Sequence, residues 1–518
     1  MNQTIKKTIL IVLLCNAQTI YTKELYGKTF FSPRAQITNS AKRLVGKTYF
    51  TNKTNSEDCY GTFSIMPEYI HSHKTRSIAE HYFATDTLRF SGSMVQTRSD
   101  DDILADYFGM SPTFDSLLTI NPKLKAFVLD FYFHIGLDGL YPGLYFRMHT
   151  PVTWVQTEIE LCEETITNNG TSTLFPELYM DSSAITAPAT SAKTPFEGNI
   201  TYGHVQEGMH FGTIQGKQSE KGFADIQIAL GYNFIRRERG HAGFNLFFTA
   251  PTGTQPRSKY LFEPIVGNGK HWELGVGFTG DILLWEKDAE QTVKLNVDCS
   301  FSHLFKSKQC RTFDFTSNGF GSRFILLKQY DDAAVYNGTV VPAINKTTLA
   351  CEVSVPFQMD LSLMASYKYN NWNFDFGYNG WIRSHENICL VGEIESNRYG
   401  FKGIQNVSGA DEHKTQSTAT LHGNELTPAI QAAVADSVYP RFISTSNLDT
   451  CSAAMPRSIS HKLFTQLGYM WENNKERRAI PYVGVGGEFE FEGRKDNRQP
   501  NKSTLSIVGI WLQGGLAY

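Results

Sequence analysis

Apolar and polar positions alternate with period two over much of the chain, in segments of ten or more residues, as expected of strands with one greasy face. From Phe127 to Leu137 the odd positions are Phe127, Leu129, Phe131, Phe133, Ile135 and Leu137, while the even ones include Asp130, Tyr132, His134 and Gly136. The alternation recurs from Ala224 to Phe234, Val293 to Phe301, Met359 to Tyr369, Trp372 to Tyr378, Leu463 to Trp471 and Val483 to Phe491. Asn370 and Asn371 separate two of these segments as a two-residue hairpin, because Asn tolerates positive φ.

Segment length decides what kind of sheet this is. Sandwich strands run to about five or six residues, whereas a strand that crosses a membrane needs about nine to eleven. Loop length gives an independent test. The connections at 138–142, 236–241, 286–291, 370–371 and 472–477 are short; those at 163–221, 252–270, 304–356, 385–459 and 492–503 are long. Such alternation is the layout of an outer-membrane barrel with short periplasmic turns and long external loops. In the last segment, Val508, Ile510, Leu512, Gly514 and Leu516 share a face and the chain ends on the ring of Tyr518. A terminal aromatic strand of this kind is what a barrel-assembly machinery reads. Aromatic residues also gather at strand ends, as at Tyr367, Tyr369 and Trp372, where interfacial girdles belong.

The predicted fold is therefore all-β: a single antiparallel up-and-down transmembrane β-barrel of about twelve strands, within a range of 12–16. The strands are placed near 60–70, then at 124–137, 143–162, 222–235, 242–251, 271–285, 292–303, 357–369, 372–384, 460–471, 478–491 and 504–518. Arg323 to Leu327 and Leu349 to Val355 offer a further pair. In the strand at 143–162 the apolar parity changes from Leu144, Phe146 and Met148 to Val155, Ile159 and Leu161, and Pro151 at the change predicts a β-bulge.

Composition adds less. A length of 518 residues would by itself suggest about three domains, and a mean hydropathy of −0.29 an ordinary soluble chain. Averaging one greasy and one polar face conceals both, so periodicity overrides that reading. A net charge of −3 leaves no electrostatic footprint for nucleic acid. Lys6 and Lys7 followed by the apolar run Ile9 to Leu14 read as a secretory signal peptide over residues 1–17, cleaved after Ala17. An N-terminal periplasmic or plug-like segment is expected over 18–58, and the barrel over 59–518. The seven mature cysteines are scattered and form no disulfide framework; Cys389 and Cys451 either close one long loop or stay independent thiols. Sequons such as Asn52-Lys-Thr54 and Asn345-Lys-Thr347 are what Asn- and Thr-rich loops produce by chance.

Polar residues on the inward faces are the candidate lumen lining: Asp130, His134, Arg147, His149, Asp225, Lys294, Asp298, Asp360, Lys368, Asp375, Glu488 and Glu490. Both signs occur, so a water-filled pore of mixed charge is expected, with salt bridges bracing the wall as the competing role for each residue. Asp100, Asp101 and Asp102, and His71 with His73, read as surface polarity and not as metal sites. Thr427-Pro428 and the alanines after it predict a short helix in the longest loop, either narrowing the barrel or capping its rim. No nucleophile elbow, HExxH helix or phosphate-binding loop occurs, so no enzyme and no cofactor are expected.

Several stretches carry a resemblance. Tyr26 to Arg34 (YGKTFFSPR), Ser452 to Pro456 (SAAMP), His461-Lys462, Tyr482 to Glu490 (YVGVGGEFE) and Gly514-Gly515 resemble the opening and closing regions of a poorly characterised group of large Gram-negative outer-membrane barrels. The block from Gly222 to Thr254 is similar to barrels associated with uptake of aromatic compounds. Tyr518 stands where the wider class more often ends in Phe. The resemblance implies an outer-membrane, porin-like channel and supplies no catalytic residue. The expected partners are outer-membrane lipid, the barrel-assembly machinery through the strand ending at Tyr518, and small solutes, with homo-oligomers compatible. The alternative is a surface-exposed structural or adhesion barrel that binds a host or partner through its long loops, ahead of a secreted soluble glycoprotein.

Overall fold

The computed structural model describes residues 34–53, 60–83, 85–92, 95–99, 102–108, 110–111, 113–167, 189–198, 200–201, 205, 207–288, 290–332, 336–402, 442–472, 479–491 and 506–518. The expected signal peptide and the predicted helix at Thr427 lie outside these residues.

Twelve antiparallel strands close into one barrel: β1 (Gly61–Ser72), β2 (Asp115–Gly136), β3 (Leu144–Thr167), β4 (Ile226–Arg237), β5 (Gly240–Ala250), β6 (Glu273–Asp288), β7 (Gln291–Thr312), β8 (Thr348–Tyr369), β9 (Trp372–Arg383), β10 (Ser458–Met470), β11 (Ile480–Phe491) and β12 (Ile507–Ala517). Each pairs with its sequence neighbours, and β1 closes the ring against β12, with Thr62 opposite Ala517 and Ser72 opposite Ile507. Closure removes every free sheet edge, which a wall surrounded by hydrocarbon requires. The hairpin between β8 and β9 turns at Asn370, whose φ is 52°, as the sequence predicts.

Outward positions carry the apolar half of the alternation. Leu230, Leu246, Phe278, Phe376, Ile510 and Leu512 are each at least half exposed and form part of a continuous apolar belt. Such surface is untenable in water over so large an area and is stable only against lipid. At the short-turn end Trp372, Tyr469 and Trp471 pack edge to face, with ring centroids 5.0 and 5.1 Å apart, as an interfacial girdle. The chain is a transmembrane barrel of the outer-membrane type.

Four strands are longer than a membrane crossing needs: β2, β7 and β8 have 22 residues each and β3 has 24. Their outer halves rise beyond the belt. There the long loops assemble a dome with an apolar core that includes Phe108, Phe196, Phe313, Phe324, Ile344 and Tyr399. Within the dome, Leu326–Tyr330 pairs with Tyr336–Pro342 and Tyr399–Phe401 in a small separate sheet. Two expectations change here. Leu349 to Val355 is the outer half of β8, and Leu326–Tyr330 stands outside the wall, so neither adds a strand to the barrel.

The bulge predicted at Pro151 is also absent from the β2–β3 ladder, where Asp130 faces Pro151 without a register break. Side chains of β3 keep one parity throughout: Tyr145, Arg147, His149, Val155 and Ile159 all point inward and are buried. The chemistry changes because the strand leaves the membrane, so its inward face passes from the polar lumen to the apolar dome core. The irregularity lies on the other side of β3. Its ladder to β4 ends at His149–Gln227 and resumes one residue out of step at Val152–Phe223, on the strand Gln218–Phe223. The extra residue is absorbed at Asp225, with φ of 72°.

Candidate functional site: a plugged lumen

Residues 34–53 run down the inside of the barrel from the dome towards the short-turn end. Near the top, Arg34 donates to Asn379 at 2.8 Å and pairs with Asp360 at 3.1 Å. A one-turn helix, α1 (Ser40–Leu44), follows, and its Ser40 N–H donates to Asp360 at 2.7 Å. The segment turns at Gly46, whose φ is +64° and whose N–H donates to Asp375 at 2.8 Å. A Cβ at Gly46 would come within 2.1 Å of the Gln513 side chain, so glycine is needed here for both conformation and space. Lower still, Phe50 stacks on Tyr482 with centroids 4.8 Å apart, and Asn52 accepts from Asn233 at 3.1 Å.

Two opposite sides of α1 find different partners. Ala41 and Leu44, with Val45 just beyond, pack against Met66, Met364, Phe464 and Trp511. Lys42 and Arg43 face carboxylates: Lys42 pairs with Glu68 and approaches Asp130 to 4.0 Å, while Arg43 pairs with Asp298 at 2.5 Å. Asn39 donates to Glu488 at 3.0 Å. Burial opposes the charge on Lys42, but Glu68, Asp130 and Glu488 outweigh it and raise its affinity for a proton. Lys47 contrasts with it. Its ammonium sits 4.6 Å above the Tyr132 ring and donates to the Lys42 carbonyl, with no carboxylate in contact among the described residues, and burial pushes it down to about 8.

Most of the predicted lumen residues meet around this segment. Asp130 pairs with His149 at 2.7 Å, and Asp298 also binds Arg147 at 3.2 Å. Glu488 takes Lys462 at 2.5 Å, and Asp375 accepts from Ser366 at 2.6 Å as well as from Gly46. His134 is buried and stacked on Tyr145, with centroids 5.2 Å apart. Glu490 accepts from Ser460 and from the Ile507 N–H. Lys294 and Lys368 sit lower, both 5.4 Å from the Tyr49 ring, and pair with Asp281 and Glu472. Asp225 stands apart at the kink before β4, where it accepts the N–H groups of Gly253 at 3.1 Å and Asn268 at 2.7 Å and so pins the loop between β5 and β6.

Sequence reasoning passed over Glu68, Lys42, Arg43 and Arg34. A signal was present: the predicted lining holds seven carboxylates against Arg147, Lys294 and Lys368, an excess of acid that asks for cations from elsewhere in the chain. The possible Cys389–Cys451 bridge is not formed, since both are free thiols. Asp102 serves its own loop, accepting from Ser91 and Ser99.

Two cavities flank the segment among the described residues. The upper one has an apolar wall of Ile70, Ala126, Val128, Val155 and Ile507, and a polar side formed by Arg34, Lys42, Lys462, Glu488 and Glu490 beside Trp381. The lower one is polar, bounded by Arg43, Thr48, His134, Arg147, His241 and Asp298 among others.

A family model described as "Putative MetA-pathway of phenol degradation" matches residues 169–317. No curated protein sequence matches the chain. Among solved structures, an outer membrane channel from Pseudomonas putida F1 aligns over 90% of this chain and 98% of its own, at 7% identity and a TM-score of 0.34. A FadL homologue from Pseudomonas aeruginosa aligns over 89% and 90%, at 6% identity and 0.28. The toluene transporter TbuX from Ralstonia pickettii aligns over 89% and 88%, at 9% identity and 0.26.

Proposed function

We propose that this barrel is a passive outer-membrane channel for small amphipathic solutes, admitted past the N-terminal segment one molecule at a time. The upper cavity carries the reading: one apolar wall faces one charged side, a pairing that suits a ring with a polar substituent better than a sugar or an ion. A general porin would offer a continuous aqueous path, whereas here Lys42, Arg43 and their carboxylates occupy the middle of the lumen. The matched family model is described in terms of phenol degradation, which makes a hydroxylated aromatic ring the first solute to try.

Proteoliposomes holding the full-length protein should take up a hydroxybenzoate, which is charged and crosses lipid poorly, with a saturable rate well above that of a sugar of similar size. Equal, unsaturable rates for both would restore the general porin. No uptake of either, together with cell binding through the dome, would favour the adhesion reading.

A further inference from the structure

On the outer face of β1, β2 and β3, at the level where the belt ends and the dome begins, the strand registers line up two rows of side chains. Tyr69, Phe127 and Trp154 lie side by side, and Lys221 from the strand Gln218–Phe223 completes that row opposite Trp154. One step outward stand His71, Lys125, Gln156 and Ser219. Below the rings, Phe223 extends the row Leu129–Val152 and is 54% exposed. Rings, then cations, then a polar edge is the order in which a lipid molecule presents acyl chains, phosphate and sugar to the side of a barrel.

Charge singles out this stretch. One step further out, Lys123 is held by Glu160 at 2.5 Å, and on the far side of the barrel Lys306 is held by Glu352 at 2.9 Å. Lys125 and Lys221 have no carboxylate within 4 Å among the described residues, although Glu158 and Glu160 stand on the adjoining strand. Two unneutralised ammonium groups flanking an indole at the interface form a site for an anion anchored in the same leaflet. The long loops mark that leaflet as the outer one.

We propose that Lys125 and Lys221, with Trp154 between them, form a docking site for a phosphorylated glycolipid of the outer leaflet. The phosphate would bridge the two ammonium groups, with acyl chains on Phe127, Trp154 and Phe223 and sugar hydroxyls on Gln156 and Ser219. The surface continues the lipid-facing belt, so the occupant needs no route of entry.

The test uses the full-length folded protein in detergent, with retention of bisphosphorylated lipid A followed by native mass spectrometry. Retention should fall about thirtyfold in K125E/K221E, taking about 1 kcal/mol of attraction per lysine near an anionic surface and one tenfold step per about 1.4 kcal/mol. K306E should leave it unchanged. The phosphate-free counterpart of lipid A and phosphatidylglycerol should each bind at least tenfold more weakly than lipid A. Equal retention by K125E/K221E, or equal binding of phosphatidylglycerol, would overturn the proposal. Heat-modifiable gel mobility verifies that the variant is folded, and K125Q/K221Q replaces it if the double reversal fails to fold.

Discussion

The barrel below the outer membrane interface and the dome above it are built from the same four long strands, yet their chemistry is reversed. In the membrane β2, β3, β7 and β8 turn apolar side chains outward and polar ones inward, where cations of the N-terminal segment meet acids of the wall. Above it Val155, Ile159 and Val353 point inward to an apolar core while Glu160 and Glu164 face water. In β2 and β3 one backbone parity serves both halves, whereas β7 and β8 change parity at an irregularity around Leu304 and Pro356, where their ladder shifts register. The lesson is that "inside" and "outside" have no fixed polarity along a strand; the surrounding solvent sets it.

That contrast breaks most sharply at Asp298. Asp298→Ala leaves Arg43 and Arg147 buried without their shared carboxylate, at a cost of roughly 3–5 kcal/mol. The expected result is a loosened N-terminal segment and higher single-channel conductance in a planar bilayer, with the barrel still heat-modifiable. Unchanged conductance would mean that these ion pairs do not hold the lumen closed.

In the dome the corresponding weak point is apolar. Phe324 packs against Phe108 and Phe196 with ring centroids 5.1 and 5.8 Å away, so Phe324→Ala should cost about 3–5 kcal/mol. Limited proteolysis should then cut the external loops faster while the barrel stays resistant. A barrel that unfolds in step with the dome would show that the two regions are one cooperative unit.

The reversal itself is tested by placing one substitution in each solvent. Ile228→Arg on the lipid face of β4 should cost about 2–4 kcal/mol on refolding into bilayers.

Acid should act on the dome through Glu386, just beyond β9. Burial alone would raise its carboxyl, but the guanidiniums of Arg311, 3.3 Å away, and Arg383, at 2.6 Å, hold it down at about 2. The folded value lies below the unfolded value of 4.5, so this contribution is fully present above about pH 4.5 and is lost as pH falls through about 2. Pepsin cleavage of the loops should therefore accelerate below pH 4.5, and Glu386→Gln should abolish that dependence.

The smallest effect is expected from Glu164→Arg, the counterpart of Ile228→Arg on the water-facing side of β3, which should change stability by about 0.5 kcal/mol or less. A cost matching that of Ile228→Arg would place the membrane boundary higher than the belt indicates.

Strand positions were readable because each side chain's face follows from its parity, a local property that needs no knowledge of the partner. The end of β3 misled for the same reason: Val155 and Ile159 look like an outward apolar face when the solvent beyond them is assumed constant. An N-terminal periplasmic or plug-like segment was readable over 18–58, but its course and its partners in the lumen were not. α1 spans five residues, too short to show a period, and Lys42 and Arg43 in isolation look like any surface cations.

The sequence by itself determined the strands, their number and the loop parity, since alternation, turn chemistry and spacing are encoded within about a dozen neighbouring residues. Only the tertiary structure decided what fills the barrel. Lys42 finds Glu68 and Arg43 finds Asp298, 255 residues away, through charge complementarity across a closed space, and nothing local in the chain specifies that meeting.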